Sequence, residues 1–429
     1  MSAREDVRVS GRPELSHSAD AVRAGGYVFV AGILPVDASG ALVGGDDVVA
    51  QARLDRRGRM SSDPWNAFIT RVEPGEARSG GPLAGRTLAV KDLIDTAGIR
   101  TTYGSSLYAE HVPERDAVAV QLLLDAGAVL VGKTNLPEFA WSVLGQNPWY
   151  GTCRNPVHPG RTTGGSSSGS AAALAAGLCE LALGTDTGCS VRLPSAACET
   201  VGLKSQWGLI PTDGVFPLCP TLDTVGPMAR SVEDVALVWS VLARRPVPQP
   251  RLEGLTVGLL RQPPGIGDGR KTERSNAAEA RVADLERLGA RVVEARVPEP
   301  TANTWPQFQH EALQSHAATF PSRSDEYSDV MRIKLEAARR ATPEEVEAAY
   351  RAIDEWRRYE PEVDVYVSPC YAIELPPEDA DELEIRLPLS SFLRWVNLTG
   401  WAGLAIGNMQ LVAPRDEVVL AAGLAWERG

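Results

Sequence analysis

The chain has 429 residues, 44 % hydrophobic and 23 % charged, which suits one large globular α/β enzyme with an appendage. Its formal charge of −12 argues against a nucleic-acid partner, because such proteins present a basic face. Six cysteines without a CxxC pair or zinc-type spacing, no uncharged apolar run near the ~18 residues that span a bilayer, and a charged N-terminus without a leader-like stretch point to a cytoplasmic protein with reduced thiols, no metal and no membrane partner.

Residues 1–55 read as a small β-rich segment. Val22 to Gly32 gives a strand, a turn and a second strand, Leu34–Pro35–Val36–Asp37 follows, and a short helix is expected near Val48 to Leu54. A two-stranded piece is marginal alone in water. The Arg-rich stretch Arg53 to Arg59 marks a boundary, and a larger domain is expected over residues 61–429. There strands and helices alternate, the pattern of α/β layers. Thr87 to Val90 is apolar and β-prone; Asp116 is placed to cap a helix through Leu124 that Gly127 ends; Ala128 to Val131 is the next strand. Ser170 to Gly177 reads as a helix whose alanines permit close packing, Leu181 to Leu183 as a strand, and Val232 to Leu242 as a helix. Leu255 to Leu260, Asn276 to Leu288 and Arg291 to Ala295 form a β-α-β unit. Residues 303–360 are mostly helical, and Thr342–Pro343–Glu344–Glu345 supplies a hydroxyl cap, a first-turn proline and a glutamate three residues after the cap. Val363 to Val367 reads as a late core strand.

Three short segments concentrate the chemistry. Leu88–Ala89–Val90–Lys91–Asp92 ends an apolar strand on a lysine. Thr162–Thr163–Gly164–Gly165–Ser166–Ser167–Ser168–Gly169–Ser170 precedes the alanine helix. Gly184–Thr185–Asp186–Thr187–Gly188–Cys189–Ser190–Val191–Arg192 follows the next strand. Such glycine and hydroxyl density suits backbone that must approach a ligand closely. Serine is a poor nucleophile until a base takes its proton. None of the five histidines (17, 111, 158, 310, 316) lies in a glycine-rich loop, so the sequence offers a lysine instead. A lysine accepts a proton only when neutral, and burial lowers its pKa. Strand alternation turns the neighbouring Asp92 to the opposite side.

Together these segments resemble the amidase signature family of serine hydrolases. The resemblance runs from about Ser61 to the C-terminus. It includes Gly132 to Phe139, Asn155–Pro156, Val201 to Lys204, Thr221 to Met228 and Asn397 to Gly400. The spacings 166 − 91 = 75 and 190 − 166 = 24 are similar to that family's. The resemblance implies an α/β fold, with a mixed central β-sheet flanked by helices on both faces. It implies that Ser190 is the nucleophile, that Ser166 relays its proton to Lys91, and that Gly165–Ser166 is a cis peptide. By the same resemblance the N–H groups of Thr187, Gly188, Cys189 and Ser190 form an oxyanion hole, and Gly165, Asp186 and Arg192 support the loops. It implies hydrolysis of a small carboxamide through an acyl-enzyme, with no cofactor, and homodimers are common in that family. Residues 303–360 correspond to the region that shapes the substrate entrance. Asn397 to Gly407 and Met409 to Val412 resemble the closing strands, with a shorter loop between them, which bears on whether that sheet edge is complete. The family usually has glycine where Cys189 stands; a positive φ there would strain a cysteine by roughly 1–3 kcal/mol. Residues 1–55 resemble the first part of a Rid-type (reactive imine deaminase) domain, covering less than half of one and lacking its carboxylate-binding arginine, so no deaminase activity is implied.

Other readings remain open at this point. Gly165–Ser166–Ser167–Ser168–Gly169 fits G-x-S-x-G, which would make Ser167 the nucleophile with His310 or His316 downstream. Lys133 and Lys204 read as solvated lysines. Trp141, Trp149 and Trp207 suit either an acyl pocket or the core. Two readings stand beside amide hydrolysis: one component of a glutamine-dependent amidotransferase, or a non-catalytic amidase-like scaffold.

Overall fold

Alternating apolar residues along short extended segments build two sheets. The computed structural model describes residues 63–264 and 275–429, together with four short strands nearer the N-terminus. Those four are β1 (Glu5–Asp6), β2 (Ala21–Ala24), β3 (Tyr27–Val30) and β4 (Val36–Asp37). They pair antiparallel in sequence order, with Ala21 opposite Val30. They fall in a unit of their own, Met1–Ser62. β2 and β3 are the expected strand–turn–strand; the helix expected near residues 48–54 lies outside the described residues.

The second unit, Asp63–Gly429, is built on an eleven-stranded mixed sheet. Its strands are β5 (Phe68–Arg71), β6 (Thr87–Lys91), β7 (Val129–Thr134), β8 (Leu181–Asp186), β9 (Val201–Lys204), β10 (Thr224–Ala229), β11 (Thr256–Leu259), β12 (Arg291–Glu294), β13 (Val365–Pro369), β14 (Ala402–Ile406) and β15 (Met409–Ala413). Their spatial order is β12-β11-β13-β15-β14-β9-β10-β8-β6-β7-β5. β6 runs parallel to both β7 and β8, whereas β10 is antiparallel to β8. The helices that matter here are α1 (Val118–Asp125), α2 (Ser168–Ala175), α3 (Arg192–Ala197), α4 (Val232–Ala243), α5 (Ser275–Arg287), α6 (Trp305–Ser315), α7 (Asp329–Ala338), α8 (Pro343–Arg357), α9 (Glu382–Ser390), α10 (Arg394–Leu398) and α11 (Asp416–Arg428). Among the described residues no helix is long and apolar enough to cross a membrane.

The period-2 pleat sorts each strand between two cores. Leu88, Val90, Leu181, Leu183 and Val225 pack with residues of α1, α4 and α11. Ala89, Ala182 and Met228 pack on the opposite face with Ala171 to Leu174 of α2. Alternation therefore sends Lys91, two residues after Ala89, toward the face that α2 covers.

Several expectations change on contact with the structure. Asp116 does not cap α1: the helix starts at Val118, so the cap position falls on Ala117, one residue after Asp116. Asp116 instead accepts the N–H of Ala97 at 2.8 Å and pairs with Arg78 at 3.1 Å. Asn397 is helical, in α10, and the last two strands begin only at Ala402. Those strands are not an edge. They form a tight hairpin inside the sheet, Ile406 opposite Met409, between β9 and β13. The capping box at Thr342 and Glu345 forms as expected.

α2 lies so close to its neighbours that glycine is required at its second position. A Cβ on Gly169 would stand 2.2 Å from the Ala67 carbonyl oxygen and 2.3 Å from the Asn135 nitrogen, both backbone. Gly169→Ala should destabilise the fold by about 1–3 kcal/mol through overpacking. Thermal unfolding should show the loss as a melting point lower by several degrees; an unchanged melting point would contradict this packing.

Candidate active site

β6 ends on Lys91, whose side chain is fully buried. Its Nζ donates to Ser166 Oγ at 2.7 Å and to Thr185 Oγ1 at 2.8 Å. Burial pulls its pKa down to about 7; the charges of Asp186 and Asp223 pull the other way and lose. Asp92 faces away, as alternation requires, and is held by the N–H and hydroxyl of Thr102 and by Lys133 at 3.4 Å.

Ser166 follows a cis peptide bond from Gly165, as the resemblance implied. A Cβ on Gly165 would sit 2.4 Å from the Leu144 carbonyl oxygen, so no larger residue fits without movement. The next N–H, of Ser167, donates to the Ser190 carbonyl at 3.0 Å. That bond ties the two glycine-rich loops together, one residue from Ser166. Ser167 itself is engaged elsewhere: its hydroxyl donates to the Thr185 carbonyl and accepts the Thr185 N–H. His316 is buried against Tyr327 and His310 bonds Gln314, so the G-x-S-x-G alternative lacks its base.

Ser190 lines a cleft with Thr187, Gly188, Cys189 and the side chains of Trp141 and Phe308. The N–H groups of Thr187, Gly188, Cys189 and Ser190 have no acceptor among the described residues, and so remain available to a ligand oxygen. Cys189 is not among the described non-glycine residues with positive φ, so the strain considered for it does not arise. Its thiol donates to the Gly165 carbonyl at 3.7 Å, and burial pushes its pKa up to about 12.

A buried ion pair shapes this loop. Asp186 accepts the N–H groups of Val191 and Arg192 and the Arg192 guanidinium, Nε at 3.1 Å and Nη2 at 3.0 Å. Burial alone would raise the Asp186 pKa; the charge and hydrogen bonds of Arg192, with those from Asn397 and Val191, outweigh it and hold the carboxyl below its ordinary value. Arg192 also reaches the Leu393 carbonyl, Gln410 Oε1 and Asn397 Oδ1 at 2.7–3.0 Å. On the cleft side, Thr187 Oγ1 donates to Asp223 at 2.6 Å, and Asp223 also accepts the N–H groups of Leu218 and Cys219. Asp223 and Asn397 had stood in the sequence only as parts of motifs, and Gln410 only in a closing strand; the signal that marks them is proximity in the fold, which spacing does not carry.

Two lysine expectations are corrected. Lys133 and Lys204 are both fully buried, not solvated. Lys133 donates to the Ile94 carbonyl and Thr101 beside Asp92, and Lys204 to the carbonyls of Trp401 and Ser205. Each ends or nearly ends a strand inside the sheet, where its chain has no route to water. Of the three tryptophans, Trp141 lines the cleft, while Trp149 and Trp207 are each 41 % exposed.

Comparisons with known proteins show the family and the fold. The family model described as Amidase matches residues 69–411. The A subunit of the glutamyl-tRNA(Gln) amidotransferase of Natronomonas pharaonis is 40 % identical over 61 % of this chain. The match spans 64 % of that relative and 48 % of its counterpart in Thermosynechococcus vestitus, so the chain covers about half to two thirds of the length of these relatives. A crystal structure of an amidase superposes with a TM-score of 0.72 at 31 % identity, covering 81 % of this chain and 84 % of that one. The A subunit of the glutamyl-tRNA(Gln) amidotransferase of Thermotoga maritima superposes at 0.70 with 26 % identity, covering 85 % and 87 %. The family match starts at residue 69 and leaves the Rid-type resemblance of residues 1–55 without support.

Removing the guanidinium would strand the buried Asp186 charge, at a typical cost of 3–5 kcal/mol. Chemical denaturation of Arg192→Leu should therefore show a loss of about that size; a loss near zero would mean that the pair does not hold the loop. Cys189→Gly, in contrast, should change amide turnover by less than about tenfold, because the cysteine backbone is unstrained. A gain of orders of magnitude would show that Cys189 impairs the loop.

Proposed function

The chain belongs to the amidase family, and we propose that it cleaves the C–N bond of a carboxamide through an acyl-enzyme on Ser190. The observation that carries this reading is the buried Lys91 amine at 2.7 Å from Ser166 Oγ, on the loop tied to Ser190. With Lys91 neutral near pH 7, the contact can run in reverse, Ser166 donating to the lone pair of Nζ. Ser166 then accepts the proton of Ser190 as its oxygen attacks the carbonyl carbon. The free N–H groups of residues 187–190 receive the negative oxygen; one such donor is typically worth about 3 kcal/mol in the transition state. The proton held by Lys91 returns through Ser166 to the leaving nitrogen as the C–N bond breaks. Water, deprotonated by the same relay, then releases the acid from Ser190.

Two fates of the nitrogen fit this chemistry. Release as free amine or ammonia makes the protein an amidohydrolase, and the structural neighbour named an amidase supports it. Delivery of ammonia to a partner makes it a glutamine-dependent amidotransferase subunit. The names of the curated relatives and of the Thermotoga maritima structure weigh toward this second fate. Copurification of partner chains, with glutaminase activity that depends on them, would select it.

The shared step is tested by turnover of an amide panel that includes glutamine, with wild type, Ser190→Ala and Lys91→Ala in parallel. Both variants should lose about 10⁴-fold or more, and a fluorophosphonate should label Ser190 in the wild type alone. Equal rates in all three would refute the assignment. Because the neutral amine is the active form, kcat/KM should fall as pH drops below about 7 and level off above it; a rate that rises toward acid would contradict a lysine base.

A further inference from the structure

The cleft before Ser190 holds more positive charge than its own carboxylate balances, in a chain of net charge −12. Arg386, Arg394 and Glu382 line it. Glu382 is already shared. Its Oε1 accepts from Arg386, Nη2 at 2.5 Å and Nε at 3.1 Å, and its Oε2 accepts from Lys334 at 2.5 Å. Arg394 has no carboxylate partner among the described residues. Its guanidinium donates to Thr304 Oγ1 at 2.5 Å and to the Thr304 carbonyl at 3.3 Å, and lies 4.3 Å over the Trp305 ring. Two lining arginines against one lining carboxylate leave a surplus of one positive charge, and Lys334, outside the lining, draws on that same carboxylate. Burial lowers the Arg394 pKa to about 10, which still leaves it charged at neutral pH.

Position matters as much as charge. The stem of Arg394 lies beside the oxyanion loop: a Cβ added to Gly188 would stand 3.9 Å from Arg394 Cγ. Trp141, Phe308 and Leu218 give the same cleft an apolar wall. A half-buried guanidinium without an acid partner presents a planar fork that matches a carboxylate. Resting on the amide-cleaving role of Ser190, we propose that the substrate is a monoamide of a short dicarboxylic acid, its amide at Ser190 and its far carboxylate on Arg394, with Arg386 beside it. The wall accommodates the methylenes between the two ends. An α-ammonium, as in glutamine, would have to compete with Lys334 and Arg386 for Glu382, the one carboxylate in the lining.

Binding, separated from turnover, decides this. Calorimetry on Ser190→Ala should show glutaramate binding at least about tenfold more tightly than its uncharged analogue pentanamide, the lower end expected for hydrogen bonds to a charged group. Glutaramate should also bind more tightly than glutamine. Adding Arg394→Met should erase the preference over pentanamide, and Arg394→Lys should keep part of it. Equal binding of glutaramate and pentanamide by Ser190→Ala would overturn the proposal, and needs no arginine variant to fold. So would a preference that survives Arg394→Met. Wild-type turnover is measured alongside: failure to cleave any amide while glutaramate still binds would count against the role of Ser190 and leave the anion site standing.

Discussion

An ammonium that has lost its water and found no carboxylate in contact is the constraint on which this molecule turns. Lys91 is fully enclosed, and its two hydrogen-bond partners are hydroxyls. Desolvation penalises the charged form and pulls the pKa to about 7. The contrast with the other enclosed lysines shows what the surroundings decide. Lys133 is also desolvated, but Asp92 stands 3.4 Å away and part of the depression is undone, to about 8. Lys204 is depressed as far as Lys91, yet it faces two backbone carbonyls and no serine hydroxyl. Of these three, Lys91 alone joins a lowered pKa to a serine hydroxyl on the loop tied to Ser190.

The loop that holds Ser190 depends on a second, opposite use of burial. Arg192 and Asp186 are both without exposure, and each is satisfied several times over. Their partners come from distant parts of the chain: Asn397 on α10 and Gln410 on β15. The interior placement of the β14–β15 hairpin brings those residues to the loop. Sheet topology thus reaches the 187–190 backbone through one ion pair. Buried pairs of this kind contribute little net stability but are costly to break, which suits them to fixing a loop's shape.

Local chemistry was legible in the sequence, and long-range contacts were not. The strand ending at Lys91, the alanine helix, the capping box at Thr342 and the turn of Asp92 to the side opposite Lys91 all follow from period and cap rules, and all appear. The lysine–serine contact across 75 residues came from resemblance, since no spacing rule predicts it. Lys133 and Lys204 were misjudged because lysine is ordinarily solvated; only the closed sheet around them shows otherwise. Asp116 failed as a cap by a single residue, the usual margin of error at helix ends. The Arg386, Arg394 and Glu382 cluster lay in a helical stretch with no motif, so nothing but the fold could have placed it in the cleft.

The central claim is that Lys91 is neutral near physiological pH because it is buried. Direct titration of its ζ-nitrogen by NMR, with lysine selectively labelled and Lys91→Arg assigning the resonance, tests that claim without relying on turnover. The account requires a midpoint close to 7. A midpoint near the ordinary lysine value, about 10.4, would leave the amine charged at neutral pH, and no proton could pass to it from Ser166.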